Sequence, residues 1–283
     1  MVDVLKQTIR EFLDDRCTTL AAAISYFTVF ALPPLLVLIL TAVGLFVDPT
    51  AVEGRITDEV GVLVGPDAAG MIGTMIEEAG RIDSGPAALG GIIALLFGAT
   101  GAFMQLQHAL NLAWDVPKEE QRGGIMGHLL KRVLSLGMIL GIGFVLLVSM
   151  ALGALITAMG DALARFLPEL LSGTMLQILQ TALSLLLVSA LFTAIYRILP
   201  DVTIAWRDAL IGGAVTGLLF VVGKTVIGFY LGTSEPGSAF GAAGALAAIL
   251  VWIYYSAIIV LFGAEFTQVW ARRQGRAQPV ATA

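Results

Sequence analysis

The stretch GLLFVVGKTVIG places Lys224 inside a long apolar run, directly before Thr225. Gly-Lys-Thr is how a phosphate-binding loop ends, with backbone N–H groups cradling phosphates and the lysine reaching their outer oxygens. That pattern needs a glycine at position 218, and Leu218 stands there. It also needs a strand in front, whereas the flanks from Ala209 to Leu231 are apolar without alternation. The nucleotide reading fails, and Lys224 reads as a charge in a membrane helix.

Hydrolytic chemistry finds no residue set either. Ser25, Ser149 and Ser256 lie in apolar runs without a nearby histidine, so no nucleophile has a base. His108 and His128 are the two histidines, and no cysteine or carboxylate cluster shares their spacing. The expectation is no catalytic residue, no metal and no cofactor. RNA binding would want a basic surface with exposed aromatics, which the sequence lacks, so no nucleic-acid partner is expected.

The elements that must position the remaining groups are membrane helices. With 58% hydrophobic and 13% charged residues and a mean hydropathy of +0.90, the 283-residue chain has more apolar surface than a soluble core would hide. The predicted fold class is an all-α integral membrane protein whose main partner is the lipid bilayer. Runs able to cross a ~30 Å hydrocarbon layer lie near 20 to 47, 87 to 106, 128 to 159, 174 to 196, 208 to 231 and 239 to 269, giving six transmembrane helices. Twelve of the sixteen Lys and Arg fall before the first span, between or beside the second and third, between the fourth and fifth, and after the sixth. The positive-inside rule then puts both termini in the cytoplasm. The segment MVDVLKQTIREFLDDRC carries four acids and no apolar core of a signal peptide, so the first span is expected to remain in the mature protein. Residues 1–19 form a cytoplasmic amphipathic segment, 20–272 a single membrane domain, and 273–283 a flexible cytoplasmic tail. Cys17 is the one cysteine, so no internal disulfide forms.

Residues 48–86 are predicted to be an outside cap of short amphipathic helices. Val52, Ile56, Val60 and Val64 recur every fourth residue, and Ala68, Ile72, Met75, Ile76 and Ala79 at three and four, with Gly65-Pro66 between the sets. In the first span, Pro33 and Pro34 remove the donors for the carbonyls of Val29 and Phe30, which predicts a kink or break. Glycines four apart, including Gly213 with Gly217, predict close helix packing, and Gly217, Gly223 and Gly228 bare the helix around Lys224 for a neighbour or a ligand. In GAFMQLQHALNLAWDV, Phe103, Leu106, Leu110 and Ala113 make an apolar stripe, while Gln105, His108, Asn111 and Asp115 make a second one. This predicts an amphipathic helix at the cytoplasmic surface with the polar stripe facing water or headgroups.

A charge held at mid-membrane costs at least ~2.5 to 3.5 kcal/mol, so each intramembrane ion needs a partner, a wet cavity or an interface. Glu265 lies near the inner end of the last span, and Arg16, Arg197 and Arg207 are its predicted partners in an inner charge network. Lys224 lies toward the outer end. Together with Tyr26, the Pro33–Pro34 break and Tyr254 or Tyr255, it is a candidate to line a ligand pathway.

Four stretches carry a family resemblance. AAAISYFTVFALPPLL, LQHALNLAWDV, YRILPDVTIAWRDALIGG and FGAAGALAAILVWIYYSAIIVLFGAEF resemble, in order, the motifs of the YihY/BrkB membrane family over roughly residues 5 to 272. Where that family usually has a serine before its first-span proline, this chain has Ala31-Leu32-Pro33. The resemblance implies a six-helix protein of the bacterial inner membrane, associated with the cell envelope and in some members with virulence; an old ribonuclease label also attaches to the family. Two functions fit: moving or handling a small solute or lipid through a polar cavity, or a non-catalytic scaffold binding a partner through the acidic cap. The sequence leaves substrate and oligomeric state open.

Overall fold

The computed structural model describes residues 2–44, 54, 57–58, 66–80, 101–117, 173–234 and 242–276. Among them the regular elements are helices: α1 (Val2–Asp14), α2 (Cys17–Gly44), α3 (Pro66–Gly80), α4 (101–113), α5 (Gly173–Ile198), α6 (Trp206–Ser234) and α7 (Ala242–Arg273). Among the described residues, three stretches are long and apolar enough to cross a membrane, Thr181–Ile198, Trp206–Ile227 and Ala243–Arg273, and Cys17–Leu32 of α2 is a shorter apolar stretch. The predicted third span, His128 and most of the predicted second span lie outside the described residues.

Antiparallel pairing orders the bundle α2, α7, α6, α5. Cys17 and Ser25 of α2 meet Glu265 and Leu250 of α7, the serine hydroxyl donating to the Leu250 carbonyl at 3.0 Å. On α6, Gly212 faces Thr267 of α7 and Gly223 faces Tyr255 and Ile259. The α5–α6 seam is closed by backbone: a methyl group at Gly213 would stand 2.7 Å from both the Ser189 oxygen and the Thr193 nitrogen, which cannot step aside. Small residues thus close the seams, as the glycine spacing predicts. Tyr196 locks three helices, donating to the Val260 carbonyl at 2.7 Å and standing 2.8 Å from the Thr216 hydroxyl. The core gathers Phe12, Cys17, Ala21 and Ile24 with Phe103, Leu110, Ala113, Phe192, Ile195 and Leu261 around α7.

One end of this bundle therefore holds the start of α2, the end of α5, the start of α6 and the end of α7, together with α1 and α4; we call it the charged end. Two helices stop there by the same device. α7 ends with Gly275 at φ +68°, its N–H bonded to the Arg272 carbonyl at 2.9 Å and the Arg276 N–H to that of Ala271 at 3.0 Å. That is a Schellman closure, and only the left-handed residue lets the chain reverse. α4 ends likewise with Asp115 at φ +48°, its N–H bonded to the Leu112 carbonyl and that of Val116 to Asn111, both at 2.9 Å. The amphipathic helix therefore ends before Asp115.

At the far side of the bundle, Ile72 and Ile76 of α3 are buried against Val29, Leu32, Ala248, Ile249 and Trp252. The apolar face predicted within the cap is thus docked on helices. α2 is one continuous helix through Pro33 and Pro34, which corrects the predicted break. Losing two donors does not end the helix here, where the turns before the prolines are held by Ser25 on α7 and by Val29 and Leu32 against α3 and α7.

Candidate functional site

Between α2 and α4 runs an open crevice of ≈ 410 Å³, lined by Phe27, Gly101, Met104, Gln105, Gln107, His108 and Asn111. Gly101 lets the helices approach, because a methyl there would stand 2.9 Å from the Phe27 ring. Elsewhere on α2, Tyr26 and Phe30 are exposed and their rings lie 4.9 Å apart. Two of the polar lining groups are committed to the fold. Asn111, 2% exposed, donates to the Asp201 carboxylate at 2.9 Å and accepts from the Asp201 N–H at 2.8 Å. Gln107 donates to the Leu199 carbonyl at 3.0 Å and to Asp201 at 3.3 Å. These bonds latch α4 to the α5–α6 connection. Asn111 therefore does not belong to a solvated stripe, because its amide satisfies a connection that has no helical ladder of its own. The exposed His108 and half-buried Gln105 keep hydrogen-bonding capacity that faces the crevice.

The charge network of this end also departs from expectation. Glu265 is 1% exposed, and its Oε1 lies 3.5 Å from the Cys17 sulfur while Oε2 has no hydrogen-bond partner among the described residues. The Asp15 carboxyl stands near enough to couple to it, and burial first, then the charges of Asp115, Glu11 and Asp14, hold Asp15 above its ordinary 3.8 against a hydrogen bond with Glu265 that lowers it. None of the predicted arginines meets Glu265 among the described residues. Arg16 sits exposed at the left-handed elbow between α1 and α2, Arg197 lies 5.6 Å from the Trp206 ring centre, and Arg207 is exposed. Arg16 stands between Asp15 and Cys17, both beside Glu265, but is itself exposed, while Arg197 and Arg207 flank the α5–α6 connection. The ion pairs belong instead to α7's terminus. Arg272 bonds Asp115 and lies 3.5 Å from Glu11; Arg276 grips the buried Asp208 with two bonds, the Nε one at 2.9 Å and the other at 2.6 Å. Arg273 donates to Gln7 at 3.3 Å. Asp115 accepts from Gln268 as well, at 2.8 Å. Residues 274–276 are accordingly a built turn that aims Arg276, a correction to the tail predicted from 273. The missed signal was Arg-Arg-Gln-Gly-Arg: a basic last turn, then a glycine that stops the helix.

Lys224 is half-buried on α6 and makes no ion pair among the described residues. The α5–α6 register, Gly213 against Thr193 and Gly217 against Ser189, brings Lys224 level with Ala182 and one residue from Thr181. The bare surface around it is partly filled by protein: Ser189 covers Gly217, while Tyr255 and Ile259 cover Gly223. Tyr255 thus packs one residue from Lys224, Tyr254 joins the core, and Tyr26 is exposed on α2 with its ring 5.6 Å from that of Phe27. The side chains of Pro33 and Pro34 lie outside the described residues.

Comparison with known proteins gives a consistent lineage. The chain is 29% identical to a UPF0761 membrane protein of Azotobacter vinelandii over 99% of its length, and 29% identical to one of Photobacterium profundum over 95%. A third, from Nitrosospira multiformis, is 26% identical over 98%. The chain spans 66%, 83% and 64% of those relatives' own lengths, so two of the three are longer by about a third of their sequence. No solved structure matches it. The model of the family described as Virulence factor BrkB matches residues 8–282, nearly the whole of the chain, which therefore belongs to that family of membrane proteins.

Proposed function

We propose that this protein binds a small amphiphilic solute or lipid in the α2–α4 crevice and hands it through a polar cavity among six membrane-spanning helices, without catalysing a reaction on it. The crevice carries the reading. Its volume falls in the range of small-molecule sites, ~300 to 1,000 Å³. It pairs an aromatic and thioether wall, Phe27 and Met104, with polar groups on Gln105 and His108 that no described residue bonds. A ligand with an acyl or aromatic body and a polar head satisfies both walls. Lys224, an ammonium with no acid partner among the described residues, supplies a second station for an anionic head. In this account the charged end faces the cytoplasm of a bacterial inner membrane, both termini lie there, and α3 belongs to the outside cap.

A specific observation favours the scaffold alternative: α3 docks its apolar face on the bundle and turns the exposed Glu77 outward, as a partner-binding cap would. Native mass spectrometry of protein purified in mild detergent separates the two. The binding account predicts co-purified lipid or solute that is lost in the Gln105→Leu/His108→Leu double variant and kept in Glu77→Gln. Unchanged adducts in the double variant would reject it.

A further inference from the structure

α1 has two apolar faces, and the bundle uses one. Val4 and Phe12 are buried against α7, Val4 beside Phe266 and Val269 and Phe12 with its ring centre 5.9 Å from that of Phe262. Val2, Leu5, Ile9 and Leu13 are 67%, 48%, 46% and 62% exposed. At about 100° per residue these four fall within ~80° of arc; Lys6 and Arg10 follow ~20° and ~60° beyond its edge, and Asp3, Asp14 and Glu11 lie farther round. The circumference therefore runs in order: free apolar stripe, basic edge, acidic face, bundle face.

The depth of this helix identifies what covers the stripe. Phe266 and Phe262 lie about 10 and 16 Å along α7 from Arg273 at ~1.5 Å per residue, inside the apolar span. The same cluster includes Ile211 and Val215, within the first three turns of the α6 span. α1 is thus clamped against membrane-spanning helices below their ends, with Arg272 and Arg273 pinned to Glu11 and Gln7 above. We infer that α1 lies in the bilayer surface, with Val2, Leu5, Ile9 and Leu13 in the acyl region and Lys6 and Arg10 on anionic phospholipid headgroups. Arg10 stays 3.6 Å from Asp14 in a fully solvated pair, which a phosphate displaces readily because such pairs are weak.

The test uses the full chain in nanodiscs of phosphatidylcholine with and without phosphatidylglycerol. A nitroxide is placed at Leu5→Cys, Ile9→Cys or Asp3→Cys; the native Cys17 is fully buried and stays unlabelled. Oxygen should relax the labels at positions 5 and 9 more than a water-soluble nickel chelate does, and the reverse should hold at position 3. In the Lys6→Gln/Arg10→Gln variant, retained phosphatidylglycerol should fall by about fivefold per residue, the equivalent of ~1 kcal/mol for each basic side chain near a charged surface. Equal nickel access at all three positions overturns the inference. So does spin–spin broadening at Ile9, which would place a second copy on the stripe, and so does unchanged lipid retention in the double variant.

Discussion

Replacing Asn111 with alanine removes two of the four bonds that latch α4 to the α5–α6 connection. The donor to Asp201 is charge-assisted, worth about 1.5 to 3 kcal/mol, and the orphaned Asp201 N–H adds about 1 to 3 kcal/mol if it stays dry. Asp201 is only half-buried, so water recovers part of both terms, and losses within one network do not add. The expected cost is ~2 to 3 kcal/mol. His108→Ala, three residues away on the same helix and exposed, should change stability by less than ~0.5 kcal/mol. Both are measured by unfolding the purified protein in mild detergent with increasing dodecyl sulfate, read by helical circular dichroism. If Asn111→Ala unfolds with wild type and His108→Ala does not differ from it, the side chain is solvated and the latch is wrong.

Glu265→Gln should fold as well as wild type or better, since the amide keeps the volume, can donate to Asp15 and removes a buried charge that has no described cation; reduced yield would restore the arginine pairing. Asp15→Asn should stabilise at neutral pH. A carboxyl held above its ordinary 3.8 contributes stability that is complete below that value and lost as pH rises through its folded-state pKa, so wild-type stability should decline from about pH 4 upward more than the variant's. A parallel pH profile would show that Asp15 is not the titrating group. Lys224→Met should keep folded yield and lose function in an envelope-integrity or solute-efflux assay; full function would make Lys224 a lysine that merely snorkels.

The sequence carried the strong periodic signals. The apolar stripe of α4, the apolar face of α3 and the small-residue seams all follow from spacing, because each depends on residues a few positions apart on one helix. What it could not carry was partnership across the fold. Glu265 and Asp115 each had several basic residues at plausible distances along the chain, and the choice between them rests on crossing geometry that spacing does not encode. Asn111 looked solvated because its partner, Asp201, is 90 residues away. The proline pair misled for a related reason: propensity predicts a break, while the helix runs on through them, its turns before the prolines held by α3 and α7. The exposed stripe of α1 was legible only as amphipathicity, since which of its two apolar faces meets protein is settled by α7.

Photo-crosslinking in native membranes tests the crevice most directly. Benzoylphenylalanine at Met104, which lines the crevice, is compared with the same group at Leu112, equally exposed on α4 but outside it. The binding account predicts a discrete lipid or solute adduct at position 104 that disappears in the Gln105→Leu/His108→Leu background, with only bulk-lipid adducts at 112. Identical adduct patterns at both positions, insensitive to the double variant, would contradict it.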